Sequence, residues 1–404
     1  MRRVVKVSRI RIIITIIVVV LTTLLTGCTG KEPNEIAYVV ALGIDSTDDD
    51  NYKITIQYAN TTQISGGASE SGGKAGSEIV DNVTIEAPNI YAGVGLANNI
   101  VSKSFSMSHA KLIVFSKEIA EKGVKDMIET LVRSEEIRPD VFIAVANTTA
   151  NDYLTSVNPE MEVNPAQYYQ LIYQKNQLVG IPDGQLREFF TGLYTDNYDS
   201  ILPVAGVIEG AGGNSQNDDK GQSKDGQNEG SEGSSESLDS FESKSSDDKD
   251  ENEKEKDAEK NTSKYEYDIK NYVGGETAIE KKNKAEAIGA AVFEKDKMVG
   301  ELGEVETEIC KILKGDYTYS YLTYYNNDTP DIPITVKTTQ QKKPKYKIDT
   351  DKKTVDIELY IESDLYSLPA DYNVENKIED FERDVANYTS STCTKFINNF
   401  TKKV

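Results

Sequence analysis

The thiol of Cys28 is the side chain best placed for covalent chemistry. It closes Leu25-Thr26-Gly27-Cys28, directly after a basic stretch with Arg2, Arg3, Lys6, Arg9 and Arg11 and an apolar run from Ile12 to Leu25. A positive end held on the cytoplasmic side, a short apolar core and small residues at the cleavage point make a secretory signal. With cysteine in the last place, the pattern is that of a bacterial lipoprotein. Cleavage falls between Gly27 and Cys28, and diacylglycerol is added to the sulfur. Two acyl chains suffice for stable anchoring, at roughly 0.8 kcal/mol per buried CH₂. The alternative is an uncleaved anchor, but the apolar run of about fourteen residues is short of the roughly 20 that span a bilayer.

A second group is Arg133-Ser134-Glu135-Glu136-Ile137-Arg138, which sets four charges between a helical and a strand pattern. Ion pairs within the chain are its default use. The sharper reading is a charged docking surface for a partner, carried by Arg133, Glu135, Glu136 and Arg138, because loops held by a rigid scaffold often carry function.

Catalytic constellations are missing. The single histidine, His109, rules out a multi-histidine metal site and leaves any Ser-His-Asp or Cys-His arrangement hanging on one residue. His109 reads as a hydrogen-bonding residue ahead of a buried strand. Gly93-Val94-Gly95 has Asn98 where a dinucleotide fingerprint needs glycine, and it lies within a helical pattern rather than ahead of one. Asp48-Asp49-Asp50 lacks the alternating ligand spacing of a calcium loop and reads as a solvated turn. Neither a metal nor a cofactor is expected.

The net charge is −22, and the first 27 residues hold five Arg/Lys and no acid, so the remainder carries −27. Such a body does not seek nucleic acid or an anionic lipid face by charge. Beyond Cys28 only Cys310 and Cys393 remain, and nothing in their spacing argues a disulfide.

Residues 35–45 and 52–58 predict a β-hairpin, the second strand alternating Tyr52, Ile54, Ile56 and Tyr58 on one face. A strand at Val83–Ile85, a helix after Pro88, a strand at Ala110–Phe115, an amphipathic helix over 117–132 and a strand at Val141–Val145 follow. That alternation argues a mixed α/β layer. Residues 165–178 and 184–193 look helical, and Ile201–Val207 is a strand. From Ala211 to Lys264 there are 16 Asp/Glu and 8 Lys among Ser, Gly, Asn and Gln, with almost no large apolar residue. Such a segment cannot bury enough apolar area to offset its ordering entropy. Ordered structure is expected again near Lys281. There follow a strand at Ala285–Phe293, a charged turn at Glu294–Lys297, a helix over 303–313, strands at 332–338, 344–349 and 354–361, and a helix over 374–400. The expected organisation is a signal over 1–27, a mixed α/β region over 28–207, an acidic insertion over 208–280 and a second α/β region over 281–404. The fold class is α+β or mixed α/β, with two to three small domains.

In its motifs the chain resembles the Ger(x)C lipoproteins, the C subunits of spore nutrient-germinant receptors. The resemblance is carried by Glu35-Ile36, Ala41-Leu42-Gly43-Ile44-Asp45, Ser108-His109-Ala110-Lys111-Leu112-Ile113-Val114, and Ile119-Ala120-Glu121-Lys122-Gly123-Val124. Its strongest part is Arg133 to Arg138 with the strand behind it. Ala287-Ile288-Gly289-Ala290-Ala291-Val292-Phe293 and Leu302-Gly303-Glu304 extend it. Thr29-Gly30 stand where the family has an aromatic–acidic pair, 208–280 is a large insertion, and the family continues beyond the last helix read here.

The resemblance implies a protein without catalysis, anchored by its lipid on the outer face of the spore inner membrane. It also implies assembly with membrane A and B subunits that respond to an amino acid, sugar or nucleoside. Only Cys28 carries over as a functional position. Two other readings share the anchor. A substrate-binding lipoprotein of an importer needs two similar lobes around a cleft, which the unequal segments fit poorly. A wall hydrolase needs a working carboxylate pair, which an acidic chain does not exclude.

Overall fold

The computed structural model describes residues 11–20, 35–49, 51–59, 80–158, 162, 164–174, 180–208, 271–277, 284–326, 329–367 and 378–403. These fall into two compact units. One comprises Met1–Tyr173, Gly184–Ser200 and Phe293–Met298; the other comprises Gln174–Asp183, Ile201–Val292 and Val299–Val404.

The first unit is built on a mixed sheet. Strands β1 (Ile36–Ser46), β2 (Tyr52–Ala59) and β3 (Val80–Ala87) form an antiparallel meander, with Leu42 opposite Ile56 and Ile54 opposite Ile85. On the other side of β1 lie β5 (Leu112–Ser116) and then β6 (Phe142–Ala146), both parallel to their neighbours. The short β4 (Ser104–Ser106) pairs in parallel with the start of β1. Every residue of β5 and β6 is buried, as parallel strands covered on both faces require. The hairpin and the strand–helix–strand alternation therefore stand as expected, and the fold class is mixed α+β.

The helices of this unit are α1 (Ile90–Ala97), α2 (Lys117–Lys122), α3 (Lys125–Val132), α4 (Ala150–Ser156), α5 (Pro165–Gln174) and α6 (Leu186–Tyr194). Side-chain caps start three of them. The Asn89 side chain accepts from Ala92 N at 2.8 Å, Ser116 from Ile119 N at 3.4 Å and Thr149 from Asp152 N at 2.9 Å. The single helix expected over 117–132 is two. Gly123 breaks it at φ +122°, and a Cβ there would meet Asp296 Oδ2 at 2.7 Å. Val132, expected inward, is exposed. Helix α4, absent from the sequence reading, lies on β1: a Cβ at Gly43 would meet Leu154 Cδ1 at 3.0 Å and Ala150 Cβ at 3.1 Å. The Tyr169 hydroxyl donates to Gln57 Oε1 at 2.6 Å, and Gln57 Nε2 donates to Leu154 O at 2.9 Å, joining α5, β2 and α4 through buried groups.

In the second unit β7 (Ile201–Val207) pairs antiparallel with β8 (Ala285–Glu294), and β9 (Lys297–Leu302) follows. A bulge between Pro203 and Ala205 accommodates the proline. Helix α7 (Glu304–Lys314) starts with Glu306 accepting from Gly303 N at 3.1 Å and Asn271 Oδ1 accepting from Val305 N at 3.0 Å, and it ends at the left-handed Gly315. Asn271 thus already packs against the start of α7, ten residues before the composition suggests. Residues 209–270 and 278–280 of the acidic insertion lie outside the described residues.

Strands β10 (Tyr319–Asn326), β11 (Thr329–Asp349) and β12 (Thr354–Ser367) form an antiparallel sheet. The two strands expected over 332–338 and 344–349 are one 21-residue strand, whose register shifts between Gln340 and Lys345 absorb Pro344. Helix α8 (Ile378–Lys403) sets Phe381, Val385 and Tyr388 on Ile334 and Val336. Ile378, expected as an anchor, is exposed, whereas Cys393 is buried. Cys310 and Cys393 are free thiols.

Candidate functional site

The charged loop after α3 is held from three directions. Ser134 Oγ accepts from the N–H groups of Glu136 and Ile137, both at 3.2 Å, which turns the chain. Ile137 is 6% exposed and pins the loop to the core. Glu136 Oε2 accepts from the backbone N–H of Met107 at 2.6 Å, tying the loop to the single-turn helix Met107–His109.

The four sequence-selected charges share this loop but do not pair with one another. Arg133, at the end of α3, pairs with Glu129 at 3.2 Å. Arg138 grips Asp140 through Nε at 3.0 Å and Nη2 at 3.3 Å. That bond raises the Arg138 guanidinium above its ordinary value and lowers the Asp140 carboxyl. The Tyr194 hydroxyl donates to Glu129, and this bond, with Arg133 beside it, lowers the Glu129 carboxyl. Glu135 is exposed and completes the rim.

One residue distant in sequence, Tyr91, joins the loop and the end of α3. Tyr91 of α1 and Thr130 of α3 line one shallow depression with Arg133, Ser134, Glu135 and Glu136. Tyr91 is 39% exposed while its helix buries Ile90, Val94 and Ala97. This helix is apolar nearly throughout, so its sequence does not distinguish the exposed Tyr91 from its buried neighbours. Chemically the depression offers aromatic area, a guanidinium and two carboxylates.

His109 is exposed, meets Ser108 Oγ at 3.0 Å through Nδ1 and lies edge-on to Tyr38 with ring centroids 4.8 Å apart. Those contacts hold the approach to β5. Among the described residues no three His, Cys, Asp or Glu side chains gather to hold a metal. Residues 11–20, from Arg11 into the apolar run, are helical, and among the described residues no helix is long and apolar enough to cross a membrane. Gly27 and Cys28 lie outside the described residues.

Residues 30–207 match the family described as "Spore germination protein N-terminal domain", and residues 288–404 match "Spore germination B3/ GerAC like, C-terminal". The chain belongs to the Ger(x)C family of spore germination proteins. Among curated relatives, "Spore germination protein KC" of Bacillus subtilis (strain 168) is 26% identical over 174 residues, 40% of this chain and 42% of that protein. "Spore germination protein B3" of the same organism is 26% identical over 148 residues, 34% of this chain and 36% of that protein. The matched segments thus span well under half the length of these relatives. The crystal structure of the GerBC protein aligns over 87% of this chain and 80% of its own, at 15% identity and a TM-score of 0.37. The family sequences bracket the insertion, with one matched region on either side of it.

Proposed function

We propose that this chain is the lipid-anchored, non-enzymatic C subunit of a spore germinant receptor. Cys28 carries the lipid, and the body sits on the outer face of the spore inner membrane. There it assembles with an A and a B membrane subunit to start germination in response to a nutrient. The observation that carries this reading is the pair of germination regions in order, at 30–207 and 288–404. The N-terminal pattern ending in Leu25-Thr26-Gly27-Cys28 supplies the anchor. The loop from Arg133 to Arg138, with Tyr91, is the surface assigned to a partner subunit. It sets an exposed aromatic beside exposed charges on a braced loop, and aromatic and Arg side chains are enriched at protein interfaces.

The test is affinity purification of the tagged protein from spore inner membranes, followed by mass spectrometry. Two integral membrane proteins encoded beside this gene are expected. Recovery of an importer permease with its ATPase, or of no membrane partner, overturns the reading.

A further inference from the structure

The second unit has a half-open cavity of about 280 Å³ between α7, the sheet β10–β12 and α8. Its size is near the lower end of small-molecule sites, roughly 300 Å³ and upward. Most of its wall is apolar or aromatic, with Ile309, Ile312, Leu322, Ile361 and Tyr388 among the lining. Two carboxylates, Glu304 and Glu308, project from consecutive turns of α7, and the lining contains no Lys, Arg or His. Glu308 is the deeper of the two. It accepts from the Tyr317 hydroxyl at 3.2 Å, and burial raises its carboxyl above the ordinary range. Its charge also helps push the Cys393 thiol, across the cavity on α8, up to about 11, although burial is the larger cause. The nearby cation, Lys311, lies outside the lining and donates to Ile181 O at 3.2 Å.

The Ser320 and Tyr317 hydroxyls and the charge of Lys311 favour the Glu308 carboxylate, but burial outweighs them and the cavity wall holds no cation, so a cation entering the cavity gains a partner already in place. We propose that this cavity binds a small organic ammonium ion, its charged head on Glu308 and its apolar body against Ile309, Ile312 and Tyr388. The Ser320 hydroxyl, which bonds Glu308, and the Thr338 hydroxyl, which meets the Tyr317 hydroxyl and Ser320 O, line the same wall, and each keeps a lone pair that can accept a further ammonium hydrogen. The Tyr388 ring adds a face of the kind cations favour. Zwitterionic amino acids fit poorly, because their own carboxylate meets two others and no cation. A bare metal ion fits poorly as well, since two carboxylates in an apolar wall do not make a coordination shell. This inference is independent of the receptor reading, so its failure leaves that reading untouched.

The test is isothermal titration calorimetry on the full chain in detergent, with hexylammonium as probe and hexanol and leucine as comparisons. Saturable binding of one hexylammonium per chain is expected. Hexanol and leucine should bind at least about tenfold more weakly, and Glu308→Gln should weaken hexylammonium by about ten- to a hundredfold, the range of a charge-assisted hydrogen bond. Thr392→Phe fills the cavity and should abolish binding. It decides the matter, with the hexanol comparison, if Glu308→Gln fails to fold. The inference is overturned by no saturable heat with hexylammonium, by equal binding of hexanol, or by unchanged binding in folded Glu308→Gln or Thr392→Phe.

Discussion

The carboxylate of Asp45, at the end of β1, accepts the backbone N–H of Ala150 at 2.6 Å, across 105 residues of chain. Its other oxygen accepts from Asn151 N at 3.0 Å, so one buried side chain satisfies two donors at the start of α4. Two positions earlier, Gly43 leaves room for the same helix. The segment Ala41-Leu42-Gly43-Ile44-Asp45 is thus the seat of α4.

Asp45→Ala is expected to destabilise the protein by about 1–3 kcal/mol, because it orphans two buried donors. The pH dependence has a definite sign. Burial, against the pull of the two N–H groups and Lys53, raises the Asp45 carboxyl. The folded state therefore favours the protonated form. That part of the stability is fully present below the unfolded value of about 3.9 and is lost as pH rises through the folded value. The cost of Asp45→Asn should be smaller at pH 7 than at pH 4, read from urea melts at both.

Glu136 and Arg138 separate by the work each does. Glu136→Ala removes the acceptor of Met107 N–H and should cost about 1–2 kcal/mol. Arg138→Glu breaks only an exposed pair with Asp140 and should leave the melting temperature unchanged. If the loop docks a partner, Arg138→Glu lowers recovery of membrane subunits without loss of folded protein. Unchanged recovery removes the loop from the interface.

Gly289→Ala tests the second unit. Gly289 has φ +85°, its N–H donates to Gly180 O at 2.7 Å, and a Cβ would lie 2.6 Å from Leu302 O. Left-handed strain of roughly 1–3 kcal/mol plus that clash should leave little soluble protein. A melting temperature equal to wild type would show that this crossing of chain segments relaxes freely.

Thiol counting reads the anchor. The Cys393 thiol is pushed up to about 11 by burial and the Glu308 charge, and burial also raises Cys310. Both should react slowly with Ellman's reagent at pH 8 in folded protein and fully in guanidinium. Unfolded mature protein should yield two thiols if Cys28 carries a lipid, and three if all the cysteines in the sequence are free. Cys28→Ala should accumulate as an uncleaved precursor that takes up no fatty acid.

Much of the candidate site was legible in the sequence. Four charges in six residues flag the loop, and Ile137 among them marks its anchor. Tyr91 was not legible as a neighbour of that loop, because α1 reaches it only through the fold. Helix α4 was missed because its start, Thr148-Thr149-Ala150-Asn151-Asp152, is polar and reads as a loop until Asp45 is seen to cap it. The break at Gly123 hides inside an apolar spacing that fits one helix, and only the nearby Asp296 shows why a glycine stands there.

By itself the sequence determined what depends on near neighbours in the chain. That covers the hairpin strands β1 and β2 and the buried β5 and β6. Tertiary structure decided what depends on groups far apart in sequence. It gave Glu136 to Met107 and Asp45 to Ala150, and it faced Glu308 with Cys393 across a cavity. Apolar periodicity reports which face of an element is buried. It carries no information about which distant donor a buried carboxylate will meet, because that pairing is set by sheet order and helix placement once the chain has folded.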